Sequence, residues 1–250
     1  MDWLGQFVFL LLRTCATIAR GRILIGQTVS QMTAIGVNSV PVTLLTVGFS
    51  GMVMALQSAN TLRQLGMAHL VGGLVAVGMA REMAPVLTAI VVTARVGSAI
   101  AAELGTMVVT EQVDALRSLG VSPVRYLVAP RFLAGIFMLP LLTVFANFAG
   151  IAGGYLVSVY AAGISSMVYL RSAQTMLYQD DLLAGLSKSL VFGAIIVLVG
   201  CNQGLRTRGG AAGVGRSTTA SVVIGIVLVY AADYVLASVL FADSPIHFGF

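Results

Sequence analysis

Charged side chains are scarce in this sequence. Only 9% of its 250 residues are Asp, Glu, Lys or Arg, whereas 58% are hydrophobic. Soluble domains carry about 25% charged residues, and a surface in contact with water cannot be covered with so few. The composition excludes an ordinary soluble domain. It predicts one polytopic membrane domain over residues 1–250.

Histidine and cysteine are also nearly absent. The two cysteines, Cys15 and Cys201, have no metal-ligand spacing, so we expect no metal site. The segment Gly48–Gly51 reads Gly-Phe-Ser-Gly, a pattern found in intramembrane serine proteases. A serine without an activating histidine is a poor nucleophile, and the chain has only two histidines, His69 and His247. We therefore predict helix-packing glycines here and no catalytic residue.

Basic runs and nucleotide-binding motifs are missing as well. The arginines are spread singly along the chain, which argues against nucleic-acid binding. The glycine-rich segment 209–215 lacks the Gly-Lys-Ser/Thr of a phosphate-binding loop. We expect the chain to bind no cofactor itself.

Long apolar runs are what the sequence does contain. They predict five transmembrane helices, at residues 39–62, 70–102, 132–161, 186–205 and 219–241. The second run exceeds one perpendicular span and contains Pro85, which predicts a tilted or kinked helix. Residues 1–36 fit a helix in the membrane interface better than a span, because arginines follow their apolar part. The predicted fold class is an all-α polytopic membrane protein.

A short polar helix is predicted at 103–120, between the second and third spans. Glu111, Asp114 and Arg117 are three residues apart and share one side of it, and Gly120 ends it. A short helix with acidic residues suits docking into a groove of a partner protein. A solvated loop is the alternative. Just before it, Gly97, Ala101 and Gly105 form a stripe of small residues that allows another helix to approach closely.

Arg81 and Glu82 lie inside the second apolar run. Ionisable residues within a span are costly and mark a pathway, a partner or a substrate site. The alternatives are a structural ion pair between helices and a pair that snorkels to the interface. A guanidinium such as that of Arg81 suits a lipid phosphate. Lys188 is predicted at the membrane edge, and Asp233 as a capped or solvated carboxylate near the outer interface.

Arginine counts predict the orientation of the chain. If the N-terminus is cytoplasmic and the C-terminus lies outside, ten arginines fall in segments on the cytoplasmic side, which we call inside segments. Only Arg63 and Arg171 fall in outside segments, with Lys188 at an edge and Arg81 within the membrane. The inside arginines are Arg13, Arg20, Arg22, Arg95, Arg117, Arg125, Arg131, Arg206, Arg208 and Arg216.

The chain resembles the MlaE-type permease family, which includes the YrbE proteins and the chloroplast TGD-type lipid permeases. The resemblance is most specific over residues 81–131 and extends from about 38 to 241; Met83-Ala84 departs from the usual Leu-Gly. The matching residues are Arg81-Glu82-x-x-Pro85-Val86-Leu87, Ala94-Arg95-Val96-Gly97-Ser98-Ala99, Ala102-Glu103-Leu104-Gly105-Thr106-Met107, Thr110-Glu111-Gln112, Pro130-Arg131 and Gly213-Val214-Gly215-Arg216-Ser217-Thr218-Thr219.

This resemblance implies the membrane subunit of an ABC transporter that moves phospholipid or a related lipid. It implies a homodimer with two cytoplasmic ATPase subunits that use ATP and Mg²⁺, a periplasmic MCE-domain protein and, in some systems, a STAS-domain regulator. The implied lipid-binding residues are Arg81, Glu82, Met52 and Leu56. The implied ATPase-coupling residues are Glu103, Thr110, Glu111, Asp114 and Arg117. The implied location is a bacterial inner membrane, or the inner envelope of a chloroplast.

Two other functions stay open at this point. The same architecture could carry a sterol or another hydrophobic substrate. Alternatively, the chain could be an ion-coupled secondary transporter that uses Arg81 and Glu82.

Overall fold

The structure is a computed structural model that describes residues 2–21 and 24–240. Every regular element in those ranges is helical, which confirms the all-α prediction. Arg22, His247 and the end of the predicted fifth span lie outside the described residues. The α-helices are α1 Asp2–Ala19, α2 Ile25–Ile35, α3 Val40–Gln64, α4 Val71–Gly78, α5 Ala84–Val92, α6 Ser98–Val109, α7 Gln112–Ser118, α8 Ala129–Leu156, α9 Ser166–Met176, α10 Gln179–Leu205 and α11 Gly210–Leu240.

Five helical stretches are long and apolar enough to cross a membrane, as predicted. They are Ile25–Gln64, Ala68–Val109, Val124–Ala161, Gln179–Leu205 and Gly210–Leu240. Each is longer than its predicted span, because the helices continue through polar residues beyond the apolar runs. The predicted interfacial region 1–36 is divided between α1, whose apolar part is Gly5–Ala19, and α2, which belongs to the first membrane-crossing stretch.

Short π-helical turns interrupt the long helices. The second span contains two, at Met79–Met83 and at Thr93–Gly97. Another at Val124–Val128 precedes α8, and one at Val157–Ala161 follows it. Pro85 has no N–H to donate to the carbonyl of Arg81 four residues earlier, so the regular helical pattern is broken there in any case. The predicted irregularity near Pro85 therefore takes the form of a π turn, a feature that is frequent at functional sites.

The chain divides into two compact units. Unit 1 comprises residues 1–39, 89–139 and 190–232, and unit 2 comprises residues 40–88, 140–189 and 233–250. By sequence, unit 1 holds ten arginines against four acidic residues, and unit 2 holds four basic against five acidic residues. The ten arginines of unit 1 are those that the orientation prediction assigns to inside segments.

Unit 1 is packed around small residues. The predicted stripe of small residues, Gly97, Ala101 and Gly105, lies against α10. A methyl group added at Gly200 of α10 would crowd the Gly97 carbonyl oxygen, and one added at Gly204 would crowd the backbone of Ala101. The Ser221 hydroxyl donates a hydrogen bond to the Gly97 carbonyl oxygen at 3.1 Å. The small side chains let α6, α10 and α11 approach closely enough for such contacts.

Unit 2 has an apolar core and close contacts between helix backbones. The core includes Val47, Val75 and Met79. A methyl group added at Gly51 of α3 would overlap the Gly150 carbonyl oxygen of α8, and one added at Gly153 of α8 would overlap the Gly48 carbonyl oxygen. These contacts agree with the interpretation of Gly48–Gly51 as a packing segment.

Tyr169 of α9 is a second anchor of unit 2. Its hydroxyl donates a hydrogen bond to the Ile151 carbonyl oxygen at 3.1 Å, and its ring meets Tyr155 edge to face. Burial raises the pKa of the Tyr169 phenol well above its usual value. The tyrosine therefore serves as a neutral packing group that ties α9 to α8.

The predicted polar helix at 103–120 is broken in two. Residues up to Val109 belong to α6, and α7 begins only at Gln112. Between them Glu111 has a φ of 61°, the one left-handed non-glycine residue in the described part of the chain. This conformation costs an L-residue about 1–2 kcal/mol, and a glutamate gives no sequence signal for it.

Substitution of Gly51 tests the backbone contact between α3 and α8. We expect Gly51→Ala to lower stability by about 1–3 kcal/mol, because the added methyl group meets backbone that cannot move aside. Gly26→Ala is the matched control, since a methyl group there meets nothing within 4 Å. Thermal unfolding of the purified protein measures both. Equal unfolding temperatures for the two variants would contradict the described packing.

Substitution of Glu111 tests the strained connection between α6 and α7. We expect Glu111→Gly to raise stability by up to about 1 kcal/mol, because glycine adopts positive φ without strain. Gln112→Gly, one residue on and inside α7, should instead lower it by about 1 kcal/mol. If both variants lose stability equally in thermal unfolding, residue 111 is not left-handed.

Candidate functional site

Arg81 and Glu82 sit on the π turn Met79–Met83 of the second span. The structure pairs each with a different partner on α10. The Arg81 Nε donates to the Asp181 Oδ1 at 2.6 Å, and the other Asp181 oxygen accepts the Tyr178 N–H at 3.0 Å. Asp181 is buried, so its charge is balanced by the guanidinium and its oxygens are hydrogen-bonded.

Lys188 of α10 is fully buried and contacts two carboxylates. Its Nζ donates to the Glu82 Oε1 at 2.7 Å and lies 3.1 Å from the Asp233 Oδ1 of α11. The second contact is an ion pair by distance but lacks the alignment of a hydrogen bond. We call Glu82, Lys188 and Asp233 the lysine triad. It joins three predicted membrane-crossing helices through charge, inside unit 2.

One sequence prediction is corrected here. The sequence predicts a capped or solvated carboxylate at Asp233, but Asp233 is an ion-paired carboxylate with a side chain only 17% exposed. Lys188, predicted at the membrane edge, is fully buried and paired with carboxylates from two other helices. The error at Asp233 arose because the rotation of a helix depends on packing, which a single apolar run does not reveal. One signal was available: Lys188 is the only lysine of the chain and lies in an apolar segment.

A glycine allows this pairing. Gly185 is three residues before Lys188, and a methyl group there would overlap the Ala80 carbonyl oxygen and crowd Pro85. The missing side chain brings α10 against the π turn, so that the lysine amine reaches Glu82. Ion pairs between buried groups require this close approach, because a long separation would leave each charge without compensation.

The exposure of the charged groups shows which of them another molecule can reach. The Glu82 side chain is 42% exposed and that of Arg81 is 25% exposed, whereas Lys188 and Asp181 are inaccessible. The predicted contact residues Met52 and Leu56 lie on α3, also in unit 2; Met52 is partly buried and Leu56 is 46% exposed. Leu56 ends an exposed apolar stripe of α3 that comprises Val42, Leu45, Phe49, Val53 and Leu56.

The predicted coupling residues do not form one group. Glu111, Asp114 and Arg117 are exposed at α7, where Asp114 and Arg117 form an ion pair at 2.8 Å. Thr110 caps α6 and donates its hydroxyl to the Thr106 carbonyl oxygen at 2.8 Å. Val113 is the buried residue of α7, so it anchors the helix while the charged side chains face outward.

Glu103 lies apart from α7, on α6. Its carboxylate accepts a hydrogen bond from Arg131 at 2.7 Å, and the same buried guanidinium donates to the Leu127 carbonyl oxygen. The pair borders a cavity of about 220 Å³ in unit 1, which is lined by polar side chains of α2 such as Gln27 and Gln31. In the structure Glu103 ties α6 to the beginning of the third span.

Comparison with known proteins identifies the family. The model of the family described as permease MlaE matches residues 28–239. A probable ABC transporter permease of Synechocystis sp. is 45% identical over 224 residues, which cover 90% of this chain and 85% of that protein. A probable ABC transporter permease of Rickettsia typhi is 38% identical over 95% of this chain and 92% of its own length.

A plant protein is similarly close. Protein TRIGALACTOSYLDIACYLGLYCEROL 1 of the Arabidopsis thaliana chloroplast is 43% identical over 224 residues, which are 90% of this chain but 64% of the plant protein. The family model covers most of the chain, and the five apolar helices are long enough to cross a membrane, as a permease requires. This chain therefore belongs to the MlaE permease family, and it is a multi-pass membrane permease of an ABC transporter rather than an enzyme.

Proposed function

We propose that this permease moves phospholipid or a related lipid and is driven by a separate cytoplasmic ATPase that uses ATP and Mg²⁺. The observation that carries the proposal is α7, a short helix anchored by Val113 with exposed charges at Glu111, Asp114 and Arg117. The sequence has no phosphate-binding loop of its own, so the energy of ATP must enter through contact with another subunit. An exposed, charged helix suits such a contact.

Two observations support a lipid as the substrate. The name of the Arabidopsis relative refers to a diacylglycerol galactolipid. In unit 2, the apolar stripe of α3 and the partly exposed charges of Arg81 and Glu82 provide both kinds of surface that a lipid requires. In this proposal the acyl chains lie along Met52 and Leu56, and the polar head group meets Arg81 and Glu82.

The internal ion pairs refine the roles of Arg81 and Glu82. The Arg81 Nε is bonded to Asp181, and Glu82 is bonded to Lys188, so both side chains are held in place before any lipid arrives. A preorganised group loses less conformational freedom on binding. Glu82 is the more exposed of the two, and its carboxylate favours contact with the amine or hydroxyl groups of a head group.

The orientation that we propose places the N-terminus in the cytoplasm and the C-terminus outside. Unit 1 contains α7 together with the ten arginines of the inside segments, and positive residues concentrate on the cytoplasmic side of membrane proteins. The proposed location is a bacterial inner membrane, or the chloroplast inner envelope if the chain functions in a plastid.

The partner set that we propose has two copies of this chain, two ATPase subunits, a periplasmic MCE-domain protein and, in some systems, a STAS-domain regulator. Support for a second copy comes from α11. Little of this apolar helix is buried, and an exposed stripe along it comprises Val223, Val227, Tyr230 and Tyr234. Lipid or another copy of the chain would cover this stripe.

Charge reversal on α7 tests the proposed function. We expect the double variant Glu111→Lys with Asp114→Lys to lose the ATPase on co-purification and to lose ATP-dependent lipid movement in vesicles. In the proposed complex these acids pair with basic groups of the ATPase, which the new lysines would repel. Both residues are exposed, so the permease itself should still fold.

Asp180→Lys is the matched control, because Asp180 is also an exposed acid but belongs to unit 2. It should retain the ATPase. Stoichiometric ATPase on the double variant would contradict the role of α7. Lipid movement that continues without ATP and follows a proton gradient would instead identify an ion-coupled transporter.

A further inference from the structure

The cavity of unit 1 beside the Glu103–Arg131 pair has a polar lining. Its wall is formed by α2, α6, the π turn Val124–Val128 and the first turn of α8. Its volume of about 220 Å³ is below the roughly 300–1,000 Å³ of pockets that enclose a whole drug-sized ligand. It therefore suits a small polar group. Six of its nine lining residues have polar side chains: Gln27, Ser30, Gln31, Glu103, Tyr126 and Arg131.

These polar groups have hydrogen-bonding capacity that the protein does not use. The side chains of Gln27, Gln31 and Tyr126 form no hydrogen bond with another described residue. Arg131 is buried, and its Nε has no acceptor within the described part of the chain, although a terminal nitrogen donates to Glu103. Buried polar groups in proteins are normally hydrogen-bonded. The unused groups therefore point to a polar ligand in this cavity.

Helix α2 turns a polar side toward the cavity and an apolar side outward. Gln27 and Gln31 are four residues apart, so they share one side of the helix, and both line the cavity. Ile25 and Val29 are also four residues apart and are exposed on another side. Lipid is the medium that suits such exposed apolar side chains. The cavity therefore lies beside the bilayer.

The cavity lies at the level of lipid head groups. The stretch Ala68–Val109 has 42 residues, about 63 Å of helix, whereas a bilayer with its head groups is about 40–45 Å thick. The ends of this stretch therefore extend beyond the hydrocarbon. Glu103 lies six residues before Val109, and Arg131 lies seven residues after the start of the stretch Val124–Ala161. Both are within about 10 Å of a helix end.

The Glu103–Arg131 pair favours one kind of head group. A carboxylate and a guanidinium lie side by side, so a head group with one ammonium and one phosphate matches them charge for charge. The primary ammonium of ethanolamine donates hydrogen bonds to a carboxylate. Choline has no N–H to donate and is bound by aromatic cages, and Tyr126 alone is aromatic among the described lining residues.

We propose that this cavity binds the head group of a phospholipid that carries a primary amine and no net charge, such as an ethanolamine lipid. The ammonium donates to Glu103, and the phosphate accepts hydrogen bonds from Arg131, Gln27 and Gln31. The acyl chains stay in the bilayer, because the cavity is too small for them. The site belongs to unit 1, whereas the residues proposed for the transported lipid belong to unit 2.

Native mass spectrometry of the full-length protein tests the proposal. The purified protein is incubated with equal amounts of ethanolamine, choline and glycerol phospholipids that have identical acyl chains. We expect the double variant Gln27→Leu with Gln31→Leu to retain one ethanolamine lipid fewer per chain than the native protein, and the same number of the other two lipids. Gln6→Leu is the matched control, an exposed glutamine of unit 1 outside the cavity, and should retain as many as the native protein.

Photocrosslinking of the native protein provides a readout that needs no variant and decides the question if the double variant does not fold. An ethanolamine lipid with a photoreactive group near its glycerol should label α2 or the π turn Val124–Val128. Unlabelled ethanolamine lipid should reduce this labelling severalfold more than choline lipid does.

Three results would overturn the proposal. The first is equal retention of ethanolamine lipid by the native protein and the folded double variant. The second is the absence of label from both segments, and the third is equal competition by the choline lipid. ATP-dependent lipid movement is not measured in either experiment, so these results are independent of the test of α7.

Discussion

The fully buried amine of Lys188, held between carboxylates of two other helices, is the constraint on which unit 2 depends. An unpaired charge at such a position costs several kcal/mol, and removing one partner of a buried pair is strongly destabilising. The contacts at 2.7 and 3.1 Å therefore fix how the second, fourth and fifth predicted spans are rotated about their axes. The Arg81–Asp181 pair reinforces the same arrangement between the second and fourth spans.

Small residues make these short-range contacts possible. Gly185 lets α10 approach the π turn that carries Arg81 and Glu82, and Gly51 lets α3 lie against the backbone of α8. Lipid provides no hydrophobic force between helices, so close packing and polar contacts have to hold such a bundle together. The ion pairs also preorganise the two side chains that we propose for the lipid head group, which links the stability of unit 2 to its function.

Much of this fold could be predicted from the sequence. Apolar runs predicted the five membrane-crossing helices, because length and hydropathy suffice for that, and Pro85 marked an irregularity where a π turn occurs. The residues from Arg81 to Arg131 indicated the MlaE family, which the comparisons confirm. Glycine spacing at Gly48 and Gly51 favoured helix packing over proteolysis, and both glycines contact α8.

Partners of the charged residues could not be predicted. Glu82 and Lys188 are 106 residues apart, and their contact depends on how two helices are rotated, which an apolar run does not encode. Arg81 and Glu82 are adjacent in the sequence, but each of them pairs with a residue of α10. The single predicted polar helix is broken at Glu111, since no glycine or asparagine signals the left-handed residue there.

The most direct test removes the central charge, first alone and then together with its two partners. Lys188→Met leaves Glu82 and Asp233 without their shared partner, so the free energy of unfolding should fall by about 3–5 kcal/mol. The triple variant Glu82→Gln, Lys188→Met, Asp233→Asn carries no charge in the lysine triad, and it should recover most of that loss in thermal unfolding. A Lys188→Met protein as stable as the native chain would contradict the account.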